Sequence, residues 1–183
     1  VIPWSYDQRP DTGTSNVRLG IWLFLASEAM LFGSLFSGYV LLRSGSPSWP
    51  DAAVLNARHA LTMTPVLLAA TLVFGFGRAP NQRARLIGSS VLFVAFVGLK
   101  LLDYQEKLAA GLHPAGNLLL ACWFTITAVH AAHVVGGVLA NIWVVVGLGR
   151  DVARDRERFR ALRLYWYFVD LVWLVILVSF YLV

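Results

Sequence analysis

Residues 118–148 read LLLACWFTITAVHAAHVVGGVLANIWVVVGL, without a single Asp, Glu, Lys or Arg. About 20 mainly apolar helical residues cross roughly 30 Å of hydrocarbon, so this run can span a bilayer with length left for tilt or overhang. Working outward, four more stretches qualify: 19–42, interrupted by Glu28; 60–76, short and containing Pro65; 86–102; and 164–183. None alternates with the period of two that a membrane strand requires. The predicted fold is therefore all-α, a polytopic membrane bundle of about five transmembrane helices.

Composition agrees. The 183-residue chain is 58% hydrophobic and 14% charged, with a mean hydropathy of +0.66. Soluble domains usually carry about 25% charged residues, so the solvent of this chain is mostly lipid. The formal charge of +5 does not point to nucleic acid, because the basic residues sit in short connections where they set topology. One cysteine, Cys122, excludes a disulfide framework, a Cys-rich zinc site or an iron–sulfur cluster held by this chain alone. The start at Val1, without an initiator methionine, suggests processing or a missing leading segment.

The connections punctuate the spans. Residues 44–50 (SGSPSWP), 77–83 (GRAPNQR) and 111–117 (GLHPAGN) are rich in turn formers. Residues 150–163 interleave arginines with acids and are expected to extend the fourth helix or form a helical loop. Residues 1–17 read as a cytoplasmic tail and 18–183 as one five-helix unit. Eleven basic residues lie on the side of the N-terminus, against Arg43, Arg58, Lys100 and Lys107 opposite. The positive-inside rule then puts the N-terminus in the cytoplasm and the C-terminus outside.

Ionisable groups at membrane depth cost several kcal/mol unless partnered, so they carry the information. At about 1.5 Å per residue, Glu28 lies roughly 15 Å from the inner boundary, Asp170 about 10 Å, and His130 and His133 roughly 8–12 Å. They are expected to face the bundle interior. Glu28 is either a structural hydrogen-bonding carboxyl or a group that exchanges protons. His130 and His133, three residues apart, share a helix face; interhelical hydrogen bonding beside Ala128, Ala131, Ala132, Gly136 and Gly137 is the favoured reading over metal ligation. Neither a deep histidine cluster nor a cysteine pair exists to bind haem, copper or another metal. Gly33, Ser34 and Gly38 read as a close helix contact. Trp4, Trp49, Tyr104, Tyr165 and Trp166 read as interfacial anchors. Lys100, Asp103 and Tyr104 read as a solvated patch at the outer surface, in preference to a polar knot.

Three ordered motifs carry a resemblance: residues 20–32 (GIWLFLASEAMLF), 123–137 (WFTITAVHAAHVVGG) and 165–173 (YWYFVDLVW). They resemble subunit III of haem–copper cytochrome c oxidases, in the short five-helix bacterial form. Lys100-x-x-Asp103-Tyr104 is a weaker fourth match. The likeness covers nearly the whole chain from Arg18.

It implies a non-catalytic accessory subunit of a proton-pumping terminal oxidase in a bacterial inner membrane. Such a subunit packs on subunit I, beside subunit II, and holds structural phospholipids. It binds no cofactor itself, haem and copper residing in the partners, and a larger respiratory supercomplex is possible. By match, Glu28 is the family's buried reactive carboxylate. His130, His133, Tyr167, Asp170 and Trp173 form its polar cluster, and Glu28, Trp22, His133 and Trp166 are candidate lipid contacts. Tyr167 stands where the family usually has His and is expected to offer a hydrogen bond toward Glu28. Asp103 stands where Glu is usual. A subunit III-like partner of a quinol oxidase or nitric oxide reductase is the alternative within the family. Outside it stands a small proton-coupled transporter using Glu28, His130 and Asp170, against which the lack of inverted repeats counts.

Overall fold

The computed structural model describes residues 13–76, 82–149 and 152–182. Five helices dominate: α1 (Asn16–Gly45), α2 (Ala57–Phe76), α3 (Gln82–Ala109), α4 (Leu118–Gly147) and α5 (Val152–Leu177). A 3₁₀ turn, Ala52–Leu55, precedes α2, and a π turn, Val178–Leu182, continues α5. Among the described residues, these five helices are each long and apolar enough to cross a membrane.

Local signals fix the ends. The Ser15 hydroxyl accepts the Arg18 amide at 3.3 Å at the start of α1, and the Asn117 side chain accepts the Leu120 amide at 2.8 Å before α4. After α3 the chain turns through Gly111 at φ 78°, a left-handed conformation that costs glycine nothing. Pro65 sits within α2 without ending it, as transmembrane helices allow.

The charged segment 150–163 does not extend the fourth helix. From Val152 it forms the first three turns of α5, after the chain leaves α4 through Gly149 at φ 93°. Asp155 ties that corner by accepting the Gly149 amide at 2.8 Å. Most of the N-terminal tail, with Trp4 and Arg9, lies outside the described residues.

α5 is the hub, packing on α1, α2 and α4, while α3 closes the bundle between α2 and α4. Its inward side carries Trp166, Val169, Trp173 and Ile176, all essentially buried. The Trp166 indole stacks on Phe93 of α3, with ring centroids 3.4 Å apart. It also presses on Gly137 of α4, where a Cβ would come within 2.6 Å of the ring. Meanwhile Leu23, Met30, Leu72, Leu139 and Val146 are well exposed. An exterior this apolar is the pattern of a bundle solvated by lipid.

Two expectations need correction here. Among the described residues, nothing from another helix lies within 4 Å of where a Cβ would stand on Gly33 or Gly38, so α1 makes no close contact there; the tightest approach to a glycine is at Gly137 of α4. Tyr165 and Trp166 are buried, not interfacial, because their polar atoms find partners inside. The Tyr165 hydroxyl donates to the His133 carbonyl at 2.7 Å, and the Trp166 indole N–H donates to Asn141 at 3.2 Å.

Candidate functional site

Three places in the bundle stand out as candidate sites. The first is the seam of α1 and α4, where Glu28 Oε2 meets His133 Nε2 at 2.7 Å. The other ring nitrogen, Nδ1, lies 2.7 Å from the Val129 carbonyl. A carbonyl only accepts, so Nδ1 carries a hydrogen and the ring's exchangeable valence is Nε2. One proton therefore serves the Nε2–Oε2 contact, on either the carboxyl or the imidazole. Phe32 packs against the His133 ring at 5.0 Å, and Tyr165 fixes the helix from behind through its bond to the His133 carbonyl. The pair is mostly buried in the seam, its side chains 17% and 15% exposed.

His130, one turn earlier, points elsewhere. It is wholly buried, with Nε2 donating to the Val169 carbonyl at 3.2 Å and the rings of Phe96 and Trp173 within 5.8 and 5.3 Å. The two histidines thus engage different helices instead of converging. Asp170 faces α2, beside the Thr71 side chain, and its Oδ1 has no hydrogen-bond partner among the described residues. Trp173 donates its indole N–H to Thr64 of α2 at 2.9 Å. Tyr167 forms no hydrogen bond to Glu28; its hydroxyl lies against Gly75 of α2, because two residues along a helix carry it some 200° away from Tyr165, the tyrosine that does face the Glu28–His133 seam. Trp22 is exposed, whereas Trp166, grouped with it as a lipid contact, is shut inside the bundle.

The second place overturns the solvated patch. Asp103 bridges two lysines of its own helix, Lys100 at 3.0 Å and Lys107 at 2.6 Å, and all three are buried. The Lys100 ammonium also sits 4.0 Å from the Trp123 ring centroid and 5.0 Å from that of Tyr104, a cation–π lining that offsets lost hydration. Tyr104 is clamped to Thr127 at 2.7 Å, and His59 of α2 closes the mouth, 3.3 Å from Glu106. Lys107 was missed in the sequence although it lies four residues after Asp103, the spacing of a helical ion pair. Asn141, which links Trp166 to Ser90 of α3, was missed too; its signal was a lone amide in an apolar run.

The third place is a cavity of about 510 Å³ between α1, α4 and α5, bounded by Ile21, Phe24, Gly136, Trp143, Leu162 and, at its charged end, Arg158. The Arg158 guanidinium lies over the Trp143 ring at 4.1 Å. Its apolar walls and single cation suit a chain-bearing amphiphile.

Fold and site together define a class: a small polytopic membrane protein whose deep polar groups are mostly spent on joining its own helices. The whole-chain comparison is more specific. Residues 8–183 match the family described as cytochrome c oxidase subunit III, and the chain belongs to that family. It is similar to subunit 3 of the cytochrome bo(3) ubiquinol oxidase of Pseudomonas aeruginosa, at 30% identity over 97% of this chain and 89% of that protein. It is similar also to cytochrome c oxidase subunit 3 of Bacillus sp. PS3, at 30% identity over 91% and 86%. A haem–copper oxidase subunit I+III of Aeropyrum pernix matches 92% of this chain at 28% identity, within 23% of its own length.

Proposed function

We propose that this chain is the non-catalytic subunit III of a proton-pumping haem–copper terminal oxidase, dressing the subunit that holds the redox centres. The match along nearly the whole chain carries the reading. The geometry supports it: His130 and His133 are each engaged by the chain's own oxygens. The fused relative supports direct packing on a subunit I, with subunit II in the same assembly. Phospholipid occupies the α1–α4–α5 cavity, its head group toward Arg158. The excess of basic residues around 150–163 favours a cytoplasmic N-terminus in a bacterial inner membrane.

Purification of the native complex followed by mass spectrometry tests this. The expected result is co-purification with haem- and copper-bearing chains and bound phospholipid, and no haem spectrum from the separated subunit. Recovery without a haem-bearing partner would overturn it. A quinol oxidase is the second reading, favoured by the Pseudomonas relative. Turnover with a quinol but not with reduced cytochrome c would select it.

A further inference from the structure

Residues 156, 160, 163, 167, 171 and 174 of α5 point to one side, since steps of three and four return to the same helix face. Every one is exposed: Arg156, Arg160 and Arg163 first, then Tyr167, then Leu171 and Leu174. The opposite side, with Leu162, Trp166 and Val169, is buried in the bundle. Along this outward stripe the chemistry runs from guanidinium through phenol to aliphatic. That is the order of one bilayer leaflet: charged head groups, an aromatic belt, then acyl chains. The scale fits as well. Arg163 and Tyr167 are about 6 Å apart along the axis, and the interfacial layer is roughly 5–7 Å deep on each side.

The charges are available to an outside partner. Arg160 holds Glu157 at 2.7 Å, while Arg156 and Arg163 hold no carboxylate among the described residues. Arg158 belongs to another face, lying over Trp143 at the cavity, so this stripe is separate from that site.

We propose that the outward stripe of α5 remains uncovered in the assembled complex and selects anionic phospholipids in the leaflet where α5 begins. Charge complementarity argues for that occupant: three guanidinium groups at head-group depth gain from a negative surface and little from a zwitterionic one. The inference rests on the chain crossing a bilayer, not on the identity of its partner subunits.

The native complex is placed in vesicles carrying either photoactivatable phosphatidylglycerol or the matching phosphatidylcholine, and labelled α5 peptides are quantified. The expected result is labelling of α5 by the anionic probe, competed by unlabelled phosphatidylglycerol and not by phosphatidylcholine. Replacing Arg156, Arg160 and Arg163 by Gln should cut it about fivefold or more, with labelling of α1 unchanged and partner chains still co-purifying. Equal labelling by both probes would overturn the selectivity. Absence of α5 labelling would overturn the exposed stripe, since a protein partner then covers it. Loss of partner chains from the triple variant would overturn it likewise.

Discussion

Replacing Gly137 by Ala, with Gly136→Ala as its companion, isolates the packing of α4 on α5. Both substitutions add the same methyl to neighbouring positions of one helix, so any gain in helix propensity is common to both. Their surroundings differ. At Gly136 the new carbon would meet only the Tyr165 hydroxyl, at 4.0 Å. At Gly137 it would stand 2.6 and 2.7 Å from two Trp166 carbons and 2.7 Å from Tyr165. Ordinary carbon contacts lie at about 3.5–4.0 Å, so something must retreat by about 1 Å. Trp166 resists that retreat, because its indole N–H is bound to Asn141 and its face is stacked on Phe93. Overpacking of this kind costs about 1–3 kcal/mol. Steric trapping of α4 and α5 in bilayers should therefore report Gly137→Ala as less stable than Gly136→Ala by that amount, roughly 5- to 150-fold in the separated population. Equal stability of the two variants, or the reverse order, would refute the argument.

Glu28→Ala should leave the first turnovers of an assembled oxidase nearly unchanged, as followed by oxygen uptake; loss of initial activity would contradict an accessory role. Asp103→Asn strands two buried ammonium groups and should destabilise the bundle by about 3–5 kcal/mol in thermal denaturation. The triple variant that also replaces Lys100 and Lys107 by Met should recover much of that loss. Tyr165→Phe removes one bond to the His133 carbonyl and should cost about 0.5–1.5 kcal/mol, measured in the same way; no change would mean the hydroxyl is satisfied elsewhere.

Much of the architecture was legible because bilayer thickness is a ruler. A run such as 118–148 can be measured against it without knowing any neighbour. Helix ends were legible where glycine, proline or a capping side chain stood, as at Asn117 and Gly111. Which residues face one another was harder. Glu28 and His133 could be placed at similar depth from either end of their spans, yet their pairing depends on the rotation of α1 against α4. The same blind spot misplaced Tyr165 and Tyr167: two residues apart, they look equivalent in a list, but one faces the α1–α4 seam and the other α2. The Lys100–Asp103–Lys107 group was misread because charge in a sequence looks hydrated. Only the surrounding Trp123, Tyr104 and Trp173, contributed in part by α4 and α5, take it out of water. Trp166 failed for a related reason: its burial depends on Gly137, 29 positions earlier, having no side chain.

The Glu28–His133 contact joins residues 105 positions apart, and that separation bears on how the protein is made. During synthesis α1 enters the bilayer long before α4 exists. At about 5–20 residues per second, the carboxyl waits roughly 5–20 s for its imidazole. Throughout that interval the first helix carries an ionisable group at mid-membrane depth, where solitude is costly. That cost stands until the fourth helix arrives to close the seam.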